Sequence, residues 1–127
     1  MDIDKLKKFE KLPPDVKRQL ALYMSKWNDK KKQSTIKQDF MAFVKHVWPD
    51  FIEGSHHKQV AKKFNDIANG KTKRVIINMA PRHTKSEFAS YLLPAWMVGR
   101  NPKLKIIQST NTTELSVRFG RKAKALM

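Results

Sequence analysis

Apolar positions first recur with a helical period and then, past residue 70, gather into short continuous runs. From Pro14 the segment PDVKRQLALYMSKWNDKKK sets Val16, Leu20, Tyr23, Met24 and Trp27 along one stripe of a basic helix, with Lys30, Lys31 and Lys32 suited to its carboxyl end. A second helix is predicted to begin at Ser34 or Thr35, either of which can cap it. It carries Phe40, Phe43, Val44 and Val47 at i, i+3, i+4 and i+7 and ends before Pro49. WPDFIEG connects it to a third helix that Ser55 can cap, with Val60, Phe64 and Ile67 inward and Gly70 as its stop.

Beyond GKTK the character changes. RVIINM contains Val75, Ile76 and Ile77 in a run long enough for a buried strand and too short for a helix. A helix is predicted from Lys85 to about Val98, kinked at Pro94, with Phe88, Leu92, Leu93 and Trp96 packing on a sheet. Gly99, Asn101 and Pro102 break it, and KLKIIQST supplies a second strand through Ile106 and Ile107. A last helix starts at Thr112 or Thr113, with Leu115, Val117, Phe119 and Ala123 available to pack. Strands alternating with helices imply an α/β fold with a parallel sheet and right-handed crossovers. The expected organisation is therefore a helical region over 1–70 followed by the start of a sheet domain over 71–127. Thr110, Asn111 and Thr112 would lie at a strand's carboxyl end, where open sheets place ligand contacts.

Charge changes this picture more than composition does. The net charge is +16, and residues 67–127 hold 12 basic residues against 2 acidic ones, so the excess lies mainly in the carboxyl half. Such a field attracts polyanions, nucleic acid among them, without choosing between them. Cysteine is absent, which excludes disulfides and thiolate metal sites. No apolar run approaches the roughly 20 residues that span a bilayer, and MDIDKLKKFEKLPPD lacks the apolar stretch of a secretory signal. The expectation is a soluble intracellular protein.

Between the first apolar run and its helix lies MAPRHTKSE, which sets Lys85 and Ser86 where a phosphate-binding loop carries its lysine and hydroxyl. In such a loop backbone amides and a helix amino terminus favour phosphate, the lysine reaches the β and γ phosphates, and the hydroxyl ligates magnesium. Both glycines of the usual pattern are missing, with Met79 and Thr84 in their places, and the alternative is an ordinary capped helix start. Thr84 either restricts the turn that glycine would allow or occupies a position with no need of positive φ. His56 and His57 are adjacent, so on a helix their side chains diverge by about 100°, and no third ligand lies nearby in sequence, which argues against a metal site.

The run IINMAPRHTKSEFASYLLPAWMVGRNPKLKIIQST, followed by LSVRFGRK and preceded by FVKHVWPDFIEGSHHKQVAKKFNDIANGKTKR, resembles the large terminase subunits of tailed bacteriophages. The resemblance spans roughly residues 36–127. It implies the parallel-sheet fold of P-loop NTPases, of the RecA-like or ASCE kind. It also implies an ATPase that uses ATP and magnesium to drive double-stranded DNA into a procapsid, and that cuts concatemeric DNA through a separate nuclease domain. Pro81, Arg82, His83, Thr84, Lys85 and Ser86 would form the nucleotide loop, with Lys85 on the phosphates and Ser86 on the metal. Arg82 would either stabilise charge on the γ phosphate or serve as a phosphate clamp. His57 or Gln59 would contact the adenine base, the alternative for His57 being a solvated position at a helix start.

The partners implied are the portal protein, the small terminase subunit and further copies in a ring, in the cytoplasm of an infected bacterium and without a membrane. Such a motor needs an apolar strand ending in paired acids, whereas only Glu87 and Glu114 follow Ser86. The chain is accordingly expected to be a fragment ending before the Walker B strand, binding nucleotide weakly if at all and not turning it over. Two other readings stay open: a helicase-like P-loop translocase, and a non-catalytic basic DNA-binding or adaptor module with a degenerate loop.

Overall fold

A computed structural model describes residues 13–127. The first 12 residues, where the expected helical region begins, lie outside the described part. In chain order the elements are α1 (Pro14–Gln38), α2 (Phe40–Val47), α3 (Ser55–Ala68), a short α4 (Lys85–Glu87) that runs directly into a π-helical turn (Phe88–Leu92) and α5 (Leu93–Arg100), and then α6 (Thr113–Ala125). The chain divides into two compact units, Met1–Ser34 and Thr35–Met127.

In the first unit the apolar stripe of α1 faces solvent, with Tyr23 and Trp27 both exposed. In the second, residues from both sides of Gly70 share one core of Phe40, Met41, Val44, Ala61, Phe64, Phe88, Leu92 and Trp96. Phe40 is its hub. Its ring meets those of Phe64, Phe88 and Trp96 edge-on at centroid distances of 5.1, 5.4 and 5.4 Å, the arrangement that aromatic quadrupoles favour.

Polar groups fix how these helices meet. Asp39, rather than Ser34 or Thr35, caps α2: one carboxylate oxygen accepts from the Ala42 amide at 2.9 Å. Its other oxygen accepts from the Asn65 side-chain amide at 2.7 Å, while the Asn65 carbonyl accepts from the Phe40 amide at 2.9 Å. A second helix thus supplies the partner that makes Asp39 the better cap, and α1 continues through the two earlier candidates. The Trp96 indole donates to the Ile36 carbonyl at 2.8 Å, satisfying one of the orphan carbonyls in the last turn of α1. Gly70, at φ 74°, stops the segment after α3 as expected, and Thr112 caps α6.

The expected parallel sheet is absent. Among the described residues no strand forms: residues 74–80 and 104–110 take no regular structure, and no backbone ladder joins either run to another segment. A strand needs a neighbour to take up its amides and carbonyls, and neither run has one. Ile76 and Ile107 stand 90% and 97% exposed and only Ile77 of the first run packs against the helical core, so neither run is buried between helices. The α/β P-loop fold is corrected accordingly to a helical cluster with two unpaired segments of irregular chain among the described residues. Phe88, Leu92 and Trp96 are core residues as their spacing predicts, but they pack on α2 and α3 and not on a sheet. Val117, expected to pack, is exposed at 46%.

Pro94 lies at the start of α5 and leaves the Ser90 carbonyl without the amide of an α-helical turn. The helix widens just before it, where the Leu93 amide donates to the Phe88 carbonyl five residues back. Around Pro94 the departure from a regular α-helix is this π-turn.

Candidate phosphate-binding loop

Residues 79–86 lead from an irregular segment into the helical stretch that starts at Lys85. The chain reverses there through two residues in the left-handed region, Arg82 at φ 65° and Thr84 at φ 55°. Thr84 therefore occupies the conformation that glycine would adopt easily. For a β-branched residue such a backbone costs about 1–3 kcal/mol, so something must hold it.

The holding contacts are hydrogen bonds. Thr84 Oγ1 donates to the His83 carbonyl at 2.7 Å and lies 2.8 Å from His57 Nε2. The Thr84 carbonyl accepts the Phe88 amide at 2.9 Å, closing the first helical turn. The amides of that first turn have no intrahelical acceptors, which leaves them for a ligand or solvent. Lys85 reaches back across the loop, its ammonium 3.4 Å from the Met79 carbonyl, so the side chain spans the loop's two ends.

Pro81, Arg82, His83, Lys85 and Ser86 are exposed, and Thr84 is half-buried. The structure thus gathers the loop residues singled out in the sequence into one accessible turn. His57 and Gln59 differ in burial. His57 is 7% exposed, its ring set among Phe51, Phe88 and His56 at centroid distances of 4.8, 5.3 and 3.8 Å. Both its nitrogens are engaged inside the protein, Nδ1 accepting the Gly54 amide at 2.9 Å and Nε2 facing Thr84. It is neither solvated nor free to meet a base. Gln59 is exposed and lines an open cleft of about 700 Å³ between α3 and residues 72–79, with Lys63, Arg74 and Asn78 on its walls.

Burial is the main reason the His57 pKa is lowered, followed by repulsion from the imidazoles of His56 and His83, while Glu53 opposes the shift. Sequence pattern gave no sign of this, because nothing in the spacing HH tells which ring is enclosed. A cue did exist in Gly54. A Cβ there would lie 2.8 Å from His56 Cε1 and 3.0 Å from its Nδ1, so glycine lets the His56 ring lie against the cap of α3 where another residue would push it aside. Gly54, not Ser55, is the N-cap, and His57 three residues on takes its amide.

Among the described residues no group of three or more His, Asp or Glu is placed to hold a metal. His56, His57 and His83 lie near one another, but His57 has no free lone pair with which to ligate. The Ser86 hydroxyl, exposed on the first turn, is an oxygen donor of the kind magnesium takes, and the ion would arrive with nucleotide phosphates rather than in a protein cage. Among the described residues no helix is long and apolar enough to cross a membrane. No family model, curated protein or solved structure matches the chain.

Proposed function

We propose that residues 79–86 bind the phosphates of ATP, and that the chain is the ATP-binding part of a DNA-packaging motor of the terminase large-subunit kind. The observation that carries this reading is the loop itself. A turn with two left-handed residues delivers Lys85 to the start of a helix and folds its ammonium across the loop mouth, 3.4 Å from the Met79 carbonyl. A polyphosphate entering there would displace that carbonyl from the ammonium and meet the first-turn amides as well. Lys85 would hold the β and γ phosphates, Ser86 would ligate the accompanying magnesium, and Arg82, exposed at the turn, would clamp or stabilise the terminal phosphate. Gln59, on the open side of α3, is the residue left to contact the base.

The basic carboxyl half supports a polyanionic partner, double-stranded DNA in this reading, and the ordered resemblance over residues 36–127 supports the choice of motor. Portal, small subunit and a ring of copies belong to the same reading, as does hydrolysis by the complete machine.

Calorimetric titration of the chain with Mg·ATP at high nucleotide concentration tests it: weak binding without turnover is expected, and Lys85→Ala should abolish it without lowering the melting temperature. DNA binding indifferent both to ATP and to Lys85→Ala, with no nucleotide heat, would establish the adaptor reading instead.

A further inference from the structure

We propose that His57 is a positioning residue for this loop: its neutral imidazole, held by the Gly54 amide, donates to Thr84 and fixes the left-handed turn that presents Lys85. The proposal rests on the nucleotide reading above for its ligand, and on geometry alone for the link between His57 and the loop.

The direction of each hydrogen bond follows from the donors available. The Gly54 amide can only donate, so His57 Nδ1 must carry a lone pair. A neutral ring with an unprotonated Nδ1 has its proton on Nε2, which therefore donates to Thr84 Oγ1 at 2.8 Å. Thr84 in turn gives its own proton to the His83 carbonyl at 2.7 Å. The relay runs in one direction, from the amino terminus of α3 through the imidazole into the loop, and each member is satisfied.

Protonating His57 would put a hydrogen on Nδ1 facing the Gly54 amide, and the relay would break at its first bond. His56 on the same helix, Glu53 in the segment before it and His83 in the loop are the titratable groups acting on the ring, while Phe51 and Phe88 enclose it. Thr84 is the point where the relay does mechanical work. Its left-handed backbone is disfavoured for a β-branched residue, and the two bonds at its hydroxyl oppose relaxation to a negative φ. A glycine at 84 would adopt the turn without strain and so without need of the histidine, and the threonine with its hydrogen bonds to His57 and His83 stands in for the missing loop glycine.

Two conservative variants separate the two ring nitrogens. In His57→Gln the terminal amide keeps a donor near the Nε2 position for Thr84, whereas His57→Asn keeps only an acceptor near Nδ1 for Gly54. Calorimetry with Mg·ATP on the full chain should find His57→Gln close to the parent and His57→Asn weaker by about tenfold, the loss of one hydrogen bond. On a Thr84→Gly background, adding His57→Asn should change affinity little. The parent's affinity should also fall as pH is lowered through the His57 titration, and that dependence should vanish in Thr84→Gly.

Equal affinities for His57→Asn and the parent, equal losses in both variants, or a further tenfold loss in the double variant would each overturn the proposal. Should the parent bind no Mg·ATP at all, the nucleotide reading falls by itself. Nitrogen-15 shifts of His57 and amide exchange at Thr84 and Lys85 then decide. A neutral Nε2-protonated ring with loop protection lost in His57→Asn upholds the positioning role, and unchanged protection overturns it.

Discussion

Phe40 and His57 are both enclosed, yet they respond to different perturbations. Phe40 is 0% exposed at the junction of three aromatic rings, so Phe40→Ala should lower stability by about 3–5 kcal/mol in denaturant unfolding. His57 is sensitive to acid instead. Its pKa is lowered in the fold, chiefly by burial, so the unfolded chain takes up its proton first, near the ordinary histidine value of about 6.5. Stability should be independent of this group above that pH and should fall as pH drops from there toward the folded pKa; melting curves in which His57→Gln has the same acid profile as the parent would contradict this.

Gly54→Ala is expected to disturb the same corner by turning the His56 ring aside and weakening the cap, with a loss of about 1 kcal/mol. At this scale the sequence disclosed identities and not conformations. Lys85 and Ser86 were legible as the start of a helix after a loop, because local pattern determines that. The left-handed Thr84 was not, because what stabilises it is a histidine 27 positions earlier in the chain.

Helices form where their apolar spacing predicts, but their ends are set by tertiary partners. Asp39 and Asn65 show this most clearly, exchanging bonds between the start of α2 and the flank of α3. Asp39→Ala removes the cap and strands the Asn65 amide, so we expect a loss of about 1–2 kcal/mol, with Asn65→Ala similar and the double variant less than additive. A double-mutant cycle by thermal unfolding measures the coupling. Ser34 and Thr35 looked equally suitable as caps, since local rules cannot register a partner on another helix. At its far end α3 is held to α5 by Arg100, which donates to the Asn69 side chain at 3.0 Å and lies 4.8 Å from the Trp96 ring. Lysine there would lose the planar fork that makes both contacts at once.

Across the whole chain the basic excess of residues 67–127 predicts salt-sensitive association with DNA, falling steeply between about 50 and 200 mM salt if several phosphates are contacted. A flat salt profile in a fluorescence anisotropy titration would remove double-stranded DNA from the reading. The sheet is where local pattern misled most. VII and II runs indicate apolar chain suited to a strand, but a run cannot state which strand lies beside it, and without one the chain there takes no regular structure. Ile76 and Ile107 remain bare because pairing is a property of two segments. The helical core needed no such partner, since Phe40, Phe64, Phe88 and Trp96 already satisfy one another.

The wide turn at Phe88–Leu92 amounts to one residue inserted into an otherwise α-helical rod. An inserted residue rotates everything before it by about 100° relative to everything after it. The aim of Lys85 and the burial of Trp96 are therefore phased by the same extra residue, with Pro94 pinning the offset from the carboxyl side. Removing a residue within the turn would leave Trp96 seated against the Ile36 carbonyl and swing the lysine away from Met79. The loop and the core share a helix, and the phase between them is a sequence length rather than a contact.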